Sequence, residues 1–165
     1  MFVTIFTDGS SLGNPGPGGF GAILKYSGSG GKEYVLELSE GYRLTTNNRM
    51  ELMAVIKGLE ALTKPCEVMV YSDSKYVVDA FNQHWIDSWI KKDFKKDGGL
   101  VPNTDLWKRL IKAKEKHKVS FTWLKGHAGH EENERCDELA KEAAGSGKLL
   151  IDEEYEKKQE VLIDT

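Results

Sequence analysis

The sequence is poor in cysteine, in proline and in long apolar runs. Its 165 residues include two cysteines and four prolines. Cys66 and Cys136 stand far apart without CxxC spacing, which argues against a disulfide framework or a cysteine-rich zinc site and favours a reducing compartment. No stretch approaches the ~20 apolar residues of a membrane span, and the first residues lack the basic and apolar pattern of a signal peptide. We therefore expect a cytoplasmic protein with no membrane contact.

Acidic residues slightly outnumber basic ones, so the formal net charge is -3. That balance argues mildly against a nucleic-acid partner. The charge is unevenly distributed, however: residues 91–118 hold ten Lys/Arg against four Asp/Glu, whereas residues 131–165 hold twelve acids against five bases. A basic segment on an acidic protein is a typical electrostatic footprint of a nucleic-acid-binding protein.

The remaining composition and the hydrophobic pattern predict one soluble α/β domain. Periodicity predicts strands near residues 2–8, 19–26, 32–41, 67–72 and 119–124, and helices over 47–62, from 75, over 104–115 and over 131–144. An initial antiparallel meander followed by strand and helix alternation indicates a mixed sheet with helices on both faces. We assign residues 1–145 to this domain, with a basic protrusion at about residues 82–103. Residues 146–165 form an acidic C-terminal tail whose order the sequence leaves open.

Two aspartates follow predicted strands directly. Asp8 and Asp73 stand at carboxyl ends of strands, where sheets of this class bind ligands. Each also has a structural interpretation. Asp8 precedes a glycine and is compatible with an Asp-Gly turn, and Asp73 is compatible with the N-cap of the next helix.

Two further acids lie on helix faces that carry small or apolar residues. Glu51 follows Asn48 by three residues, which is close to a capping box. Its face is otherwise apolar, so a carboxylate that packs inward there needs a cation or a hydrogen-bonding partner. Asp137 is spaced to pair with Lys141, yet it shares a face with Ala140.

Four acids that converge on one edge of a sheet would repel one another unless cations were bound. Oxygen ligands without a His/Cys set favour a hard ion, Mg²⁺ or Mn²⁺. Phosphoryl transfer is the chemistry that such a site favours.

Four segments resemble the sequence blocks of the type 1 ribonuclease H family: TDGSSLGNPGPGGFGAIL, TTNNRMELMAVIKGLEAL, YSDSKYV and WLKGHAGHEENERCDELA. They occur in the family's order and cover residues 2–144. The resemblance implies an RNase H-like fold with a five-stranded mixed β-sheet flanked by α-helices on both faces. It also implies an endonuclease that hydrolyses the RNA strand of RNA/DNA hybrids, leaving 5'-phosphate and 3'-hydroxyl ends, and works as a monomer.

The same resemblance implies two Mg²⁺ ions, for which Mn²⁺ is a possible substitute, held by Asp8, Glu51, Asp73 and Asp137. Asp8 would bridge the ions, Glu51 and Asp73 would bind the ion at the leaving group, and Asp137 the ion at the attacking water. His127 resembles the family's mobile histidine, which assists proton movement or product release.

A zinc site is the alternative for this histidine-rich loop. His127 and His130 are spaced for metal binding, and Cys136 follows, but a fourth ligand is missing.

Substrate contacts are also implied by the resemblance. Asn14, Asn47 and Asn48 match positions that read the minor groove of the hybrid, although turn formation and helix capping are alternative roles for them. Thr46 and Asn103 match a pocket that grips a phosphate of the DNA strand.

One departure lies beside this pocket, and a basic protrusion follows later in the chain. The family often has arginine where this chain has Leu44, and Arg43 comes one residue earlier, which reverses its face in a strand. In the protrusion, lysines would neutralise phosphates and an aromatic ring would lie on the DNA sugars. Trp85 and Trp89 are also spaced to pack their helix against the body. The candidate residues of the protrusion are Trp85, Trp89, Lys91, Lys92, Phe94, Lys95 and Lys96.

Two other functions compete with this assignment. A catalytically inactive hybrid-binding module would keep the fold, but it would gain from losing negative charge near phosphates. The other is a related DNA-acting nuclease on the same fold. The asparagines matched to groove contacts and the basic protrusion argue against it, because they resemble features of hybrid-specific family members.

Overall fold

The computed structural model describes residues 1–125 and 130–164, with side chains up to residue 160. Helices and strands alternate after an initial run of strands. In chain order, the elements are β1 (Phe2–Ser11), β2 (Gly16–Ser27), β3 (Glu33–Thr45), α1 (Asn47–Glu60), β4 (Glu67–Ser72), α2 (Lys75–Asn82), α3 (Trp85–Lys91), β5 (Lys95–Lys96), β6 (Gly99–Leu100), α4 (Thr104–Lys114), β7 (Lys118–Trp123), α5 (Glu131–Ala144), β8 (Leu149–Leu150) and α6 (Glu153–Asp164). None of the helices in these two ranges combines the length and hydropathy needed to cross a bilayer.

The main sheet is mixed and has the strand order β7-β4-β1-β2-β3-β8. β1 to β3 form the expected antiparallel meander, and β4 and β7 continue from β1 in parallel. The prediction of five strands was one short, because β8 pairs in parallel with β3 at Gly41 and Tyr42. A separate two-stranded hairpin, β5 and β6, lies within the basic protrusion.

Helices cover both faces of the sheet, as predicted. Val3 and Ile5 of β1 belong to the main core, to which α1 contributes most of its length and α4 the fully buried Trp107. Because neighbouring residues of a strand face opposite sides, Phe6 lies on the other face, against Cys136 of α5. The two helices that carry candidate carboxylates, α1 and α5, therefore flank the same central strand.

Glycines let α5 approach the sheet closely. Gly21 is the partner of Asp8 in the β1–β2 register. A Cβ atom on Gly21 would lie 2.4 Å from the backbone oxygen of Cys136. The missing side chain thus brings the face of α5 that carries Asp137 toward the end of β1.

The C-terminal segment is joined to the body by a buried ion-pair network. Arg49 of α1 is 2% exposed and pairs with Asp105 of α4 and with Asp152, each at 2.7 Å. Asp152 also accepts a hydrogen bond from Thr45 at 2.8 Å. Charged groups are buried favourably only when paired, so this network fixes the chain between β8 and α6. The domain boundary at residue 145 stays a prediction.

Candidate active site

Two aspartates lie side by side at one edge of the sheet. Thr7 of β1 pairs with Ser72 of the parallel strand β4. Asp8 and Asp73 each follow this pair by one residue, at the carboxyl edge where open α/β sheets bind ligands. Asp8 is buried, and β1 continues past it to Ser11. The Asp-Gly turn considered for Asp8 therefore does not form.

Glu51 reaches the same edge from the second turn of α1. Thr46 caps α1 by accepting the N–H of Arg49, so the capping-box interpretation of Glu51 is wrong. Glu51 instead accepts the backbone N–H of Gly9. A Cβ atom on Gly9 would lie 2.4 Å from the backbone nitrogen of Glu51, so only glycine permits this approach of β1 to α1.

Asp73 lies in a tight connection between β4 and α2. The N-cap of α2 is Ser74, whose hydroxyl accepts the N–H of Val77 at 3.3 Å. The hydroxyl of Ser72 accepts the N–H of Ser74 at 3.0 Å. The interpretation of Asp73 as the N-cap of α2 is therefore wrong. The carboxylate of Asp73 belongs to the sheet edge.

These three carboxylates converge. One carboxylate oxygen from each of Asp8, Glu51 and Asp73 can be chosen so that every pair of these three oxygens is within 4.8 Å. The group combines a strand, a helix and a loop that are far apart in sequence. An all-oxygen set of this size is compatible with a hard divalent cation such as Mg²⁺ or Mn²⁺.

The electrostatics of the group indicate that negative charge is concentrated there. Burial, together with the charges of Asp73 and Asp137, raises the pKa of Asp8 from its ordinary 3.8 to about 7, against the opposing effect of a hydrogen bond with Glu51. Burial and the charges of Asp8 and Asp73 raise the pKa of Glu51 well above its usual range. Perturbed carboxylates of this kind cluster at functional sites, and a bound cation would relieve the repulsion.

Asp137 lies at the border of the group. Its carboxylate accepts a hydrogen bond from Lys141 of the next helical turn at 2.9 Å, as the spacing predicted. It also interacts with Asp8, whose pKa it raises. The structure thus brings three of the four predicted carboxylates together and places the fourth, half-buried, next to Asp8.

The loop before α5 is described only in part. His127 lies outside the described residues, so its predicted role stays a prediction. The zinc alternative finds no support in Cys136, which is fully buried and whose thiol donates to the backbone oxygen of Phe6 at 3.3 Å. Burial raises the pKa of this thiol, which disfavours the thiolate that zinc requires.

The predicted groove residues lie together beside the carboxylates. The side-chain oxygen of Asn47 accepts the N–H of Ser11 at 2.7 Å, and that of Asn14 accepts the N–H of Asn47 at 3.1 Å. Asn48 is exposed at the same end of α1. None of the three caps α1, since Thr46 has that role. Their bonds instead join the β1–β2 loop to the start of α1.

The predicted phosphate pocket has an unexpected charge beside it. Asn103 precedes α4 and accepts a hydrogen bond from Arg49 at 3.3 Å, while its own amide donates to Tyr76 at 3.0 Å. Arg43, one residue before Leu44, is exposed and pairs with Glu156 of α6 at 2.9 Å. The cation nearest to Asn103 in this hydrogen-bond network is therefore Arg49, which already has two carboxylate partners.

The basic protrusion presents its lysines to solvent. The two tryptophans of α3 differ: Trp89 packs against Trp107 with ring centroids 5.2 Å apart, whereas Trp85 is 44% exposed. Phe94 is buried. This leaves Trp85 as the exposed aromatic ring among the predicted contact residues, together with the exposed side chains of Lys91, Lys92, Lys95 and Lys96.

Sequence reasoning missed three contributors to the site. Gly9 donates to Glu51, Arg49 orders the region around Asn103, and Trp123 donates its indole N–H to the backbone oxygen of Asp73 at 3.1 Å. Only Gly9 carries a local signal, since a glycine after a strand indicates a close approach or a turn. The partners of Arg49 and Trp123 are distant in sequence.

The chain resembles known proteins over most of its length. The sequence profile of the RNase H family matches residues 2–145. A ribonuclease H of Lachnoclostridium phytofermentans is 62% identical over 154 residues, which cover 92% of this chain and 98% of that protein.

Solved structures agree as well. The crystal structure of LC9-RNase H1, a type 1 RNase H, has a TM-score of 0.80 at 34% identity, over 87% of this chain and 72% of that one. That of LC11-RNase H1, in complex with RNA/DNA hybrid, has a TM-score of 0.62 at 25% identity, over 86% and 96%. The chain thus belongs to the type 1 ribonuclease H family of enzymes.

Proposed function

We propose that this protein hydrolyses the RNA strand of RNA/DNA hybrids with the help of two divalent ions and leaves 5'-phosphate and 3'-hydroxyl ends. The convergence of Asp8, Glu51 and Asp73 within 4.8 Å is the observation that carries the proposal. Family membership supports the substrate class, because the related LC11-RNase H1 was solved with an RNA/DNA hybrid bound.

The residues at the sheet edge fit divalent ions. Their ligands are oxygens only. Burial, together with the charges of Asp73 and Asp137, raises the pKa of Asp8 to about 7, which is the state expected of a cation site without its cation. Asp8 would contact both ions, Glu51 and Asp73 the ion at the leaving group, and Asp137 the ion at the attacking water. Bound there, two such ions would activate water and stabilise the charge on the leaving oxygen.

The chain's own residues position the reacting groups. Gly9 holds the carboxylate of Glu51 toward the edge through its N–H. Lys141 holds that of Asp137 at 2.9 Å. His127, in the loop that precedes α5, would move protons or help the product leave, which suits a side chain that titrates near neutrality.

Substrate recognition would use two surfaces. Asn14, Asn47 and Asn48 would contact the minor groove, where an RNA strand exposes 2'-hydroxyl groups. The lysines of the protrusion and Trp85 would contact the DNA backbone, and Thr46 with Asn103 would hold one of its phosphates. The exposed lysines support this because backbone phosphates dominate the affinity of nucleic-acid complexes.

We also propose that the protein acts as a monomer in the cytoplasm. Every carboxylate of the group comes from one chain, so no second copy is needed to complete it. Both cysteines are free and buried, which agrees with a reducing compartment.

Cleavage of one labelled strand tests the proposal. The strand would be presented as an RNA/DNA hybrid, as an RNA duplex, as a DNA duplex and alone, each with magnesium and with EDTA. We expect cutting of the RNA in the hybrid only, and only with magnesium. Binding of the hybrid without any cleavage would favour the inactive binding module, and cleavage of duplex DNA would favour the related nuclease.

A further inference from the structure

Asp73 occupies a place in the sheet where strand pairing ends. β4 ends at Ser72, whose register partner in β7 is Trp123. The last backbone link between the two strands runs from the N–H of Leu124 to the oxygen of Ser72, at 2.8 Å. Asp73 is the next residue, so its backbone depends on contacts from outside the β4–β7 ladder.

The side chain of Trp123 supplies one such contact. Its indole N–H donates to the backbone oxygen of Asp73 at 3.1 Å. This bond joins the edge strand β7 to a residue whose carboxylate belongs to the converging group. Trp123 is 38% exposed, so burial of a hydrophobic surface alone does not account for a tryptophan at this position.

A cation also contacts the indole ring. The ammonium group of Lys75, in the first turn of α2, lies 4.4 Å from the centroid of the Trp123 ring. A cation this close to the face of a tryptophan is attracted by the ring. Trp123 therefore contacts both Asp73, through its N–H, and Lys75, through the face of its ring, two residues that are only two positions apart.

We propose that Trp123 is a positioning residue for Asp73 and thereby tunes the affinity of the carboxylate group for divalent cations. Its N–H fixes the backbone of Asp73, and Lys75 restricts the ring that carries this N–H. The inference rests on the proposed function, because it assumes that the carboxylates bind cations. Partners that orient metal ligands commonly set metal affinity in this way.

Trp123→Phe is the variant that tests the inference. It keeps an aromatic ring beneath Lys75 but removes the N–H donor. We expect the Mg²⁺ dissociation constant of the protein without nucleic acid, measured by calorimetry, to rise about 3- to 10-fold, which is the effect of one ordinary hydrogen bond. At low magnesium kcat should fall by a similar factor and recover at saturating magnesium, with KM for the hybrid unchanged.

A second variant and a matched control separate positioning from folding. Lys75→Met keeps the N–H and frees the ring, and should weaken Mg²⁺ binding by less than Trp123→Phe. Tyr34→Phe is the matched control, because Tyr34 is another exposed aromatic residue with a lysine over its ring: the ammonium group of Lys32 lies 5.4 Å from the ring centroid. This variant should bind Mg²⁺ like the wild type. Circular dichroism would verify that all variants fold.

Wild-type Mg²⁺ affinity in folded Trp123→Phe would overturn the inference and leave the proposed function intact. It would assign Trp123 to packing alone. The magnesium titration needs no nucleic acid, so a failure of the proposed function would be detected separately, as absence of hybrid cleavage by the wild type.

Discussion

Asp8 has an environment unlike that of an ordinary surface carboxylate. It is 5% exposed, and two other carboxylates offer oxygens within 4.8 Å. A cation site built in this way stores repulsion in the folded chain until a cation binds. Residues at such sites are therefore expected to lower stability while they serve function.

Asp8→Asn should stabilise the fold in a pH-dependent way. The pKa of Asp8 rises from 3.8 to about 7 on folding, because of burial and of the neighbouring charges. The folded chain then binds more protons than the unfolded chain between these values, so its stability falls as pH rises through about 7. Asparagine mimics the protonated form. Without divalent ions, the free energy of unfolding of the variant should equal that of the wild type near pH 4. At pH 8 it should be larger by about 1 to 4 kcal/mol.

Chemical denaturation at the two pH values, with EDTA, measures this difference. Asp97→Asn is the matched control, because Asp97 is an exposed aspartate of the protrusion. An equal gain at pH 4 and pH 8, or a gain in the control, would contradict the account of Asp8.

Elements that carry local signals could be predicted from the sequence. β4 and α5 have the predicted bounds because a short apolar run and helical periodicity, respectively, mark them. β8 and α6 could not be predicted, since β8 is two residues long and depends on pairing with β3. Asp152, which precedes α6, pairs with Arg49, which is 103 positions away in the sequence. No local sequence pattern indicates such a contact.

The same holds for the candidate site. The four carboxylates could be selected because each stands at an element end or on an inward face. The hydrogen bonds that hold them, from Gly9 to Glu51 and from Trp123 to Asp73, depend on strand register. Sequence patterns do not determine that register.

Asp152→Ala should destabilise the protein through the C-terminal segment. It would leave Arg49, 2% exposed, with only one carboxylate partner. Loss of one member of a buried ion pair costs about 3 kcal/mol. Glu156→Gln is the control, because its partner Arg43 is exposed, and should cost less than about 1 kcal/mol. Equal effects in thermal unfolding would show that the segment is held by surface pairing alone.

The basic protrusion yields a prediction about salt. We consider the slope of the logarithm of hybrid affinity against the logarithm of salt concentration. Replacing Lys95 and Lys96 by alanine should reduce the magnitude of this slope by about 1 to 2, since each phosphate contact contributes about 0.7 to 0.9. Lys116 and Lys118, replaced together, are the control because Lys118 begins β7 at the opposite end of the sheet. Unchanged slopes for both pairs would remove the protrusion from the substrate surface.

The whole molecule has an acidic net charge of -3, and the partner that we propose for it, an RNA/DNA hybrid, is itself highly negative. The fold separates the charges: lysines project from α3 and the β5–β6 hairpin, while acids gather at the sheet edge and in the C-terminal segment. If the carboxylates bind divalent ions as we propose, these ions would let a phosphate approach the sheet edge. We infer that the carboxylates act through such ions.

This dependence on ions can be tested by comparing Asp73→Asn with the wild type in binding and in cleavage of a labelled hybrid. Binding is measured in calcium and cleavage in magnesium. We expect the variant to bind the hybrid at least as tightly as the wild type does, because one negative charge near the phosphates is removed, and to cleave none of it. Wild-type turnover by Asp73→Asn would show that cleavage does not depend on this carboxylate or on an ion that it holds.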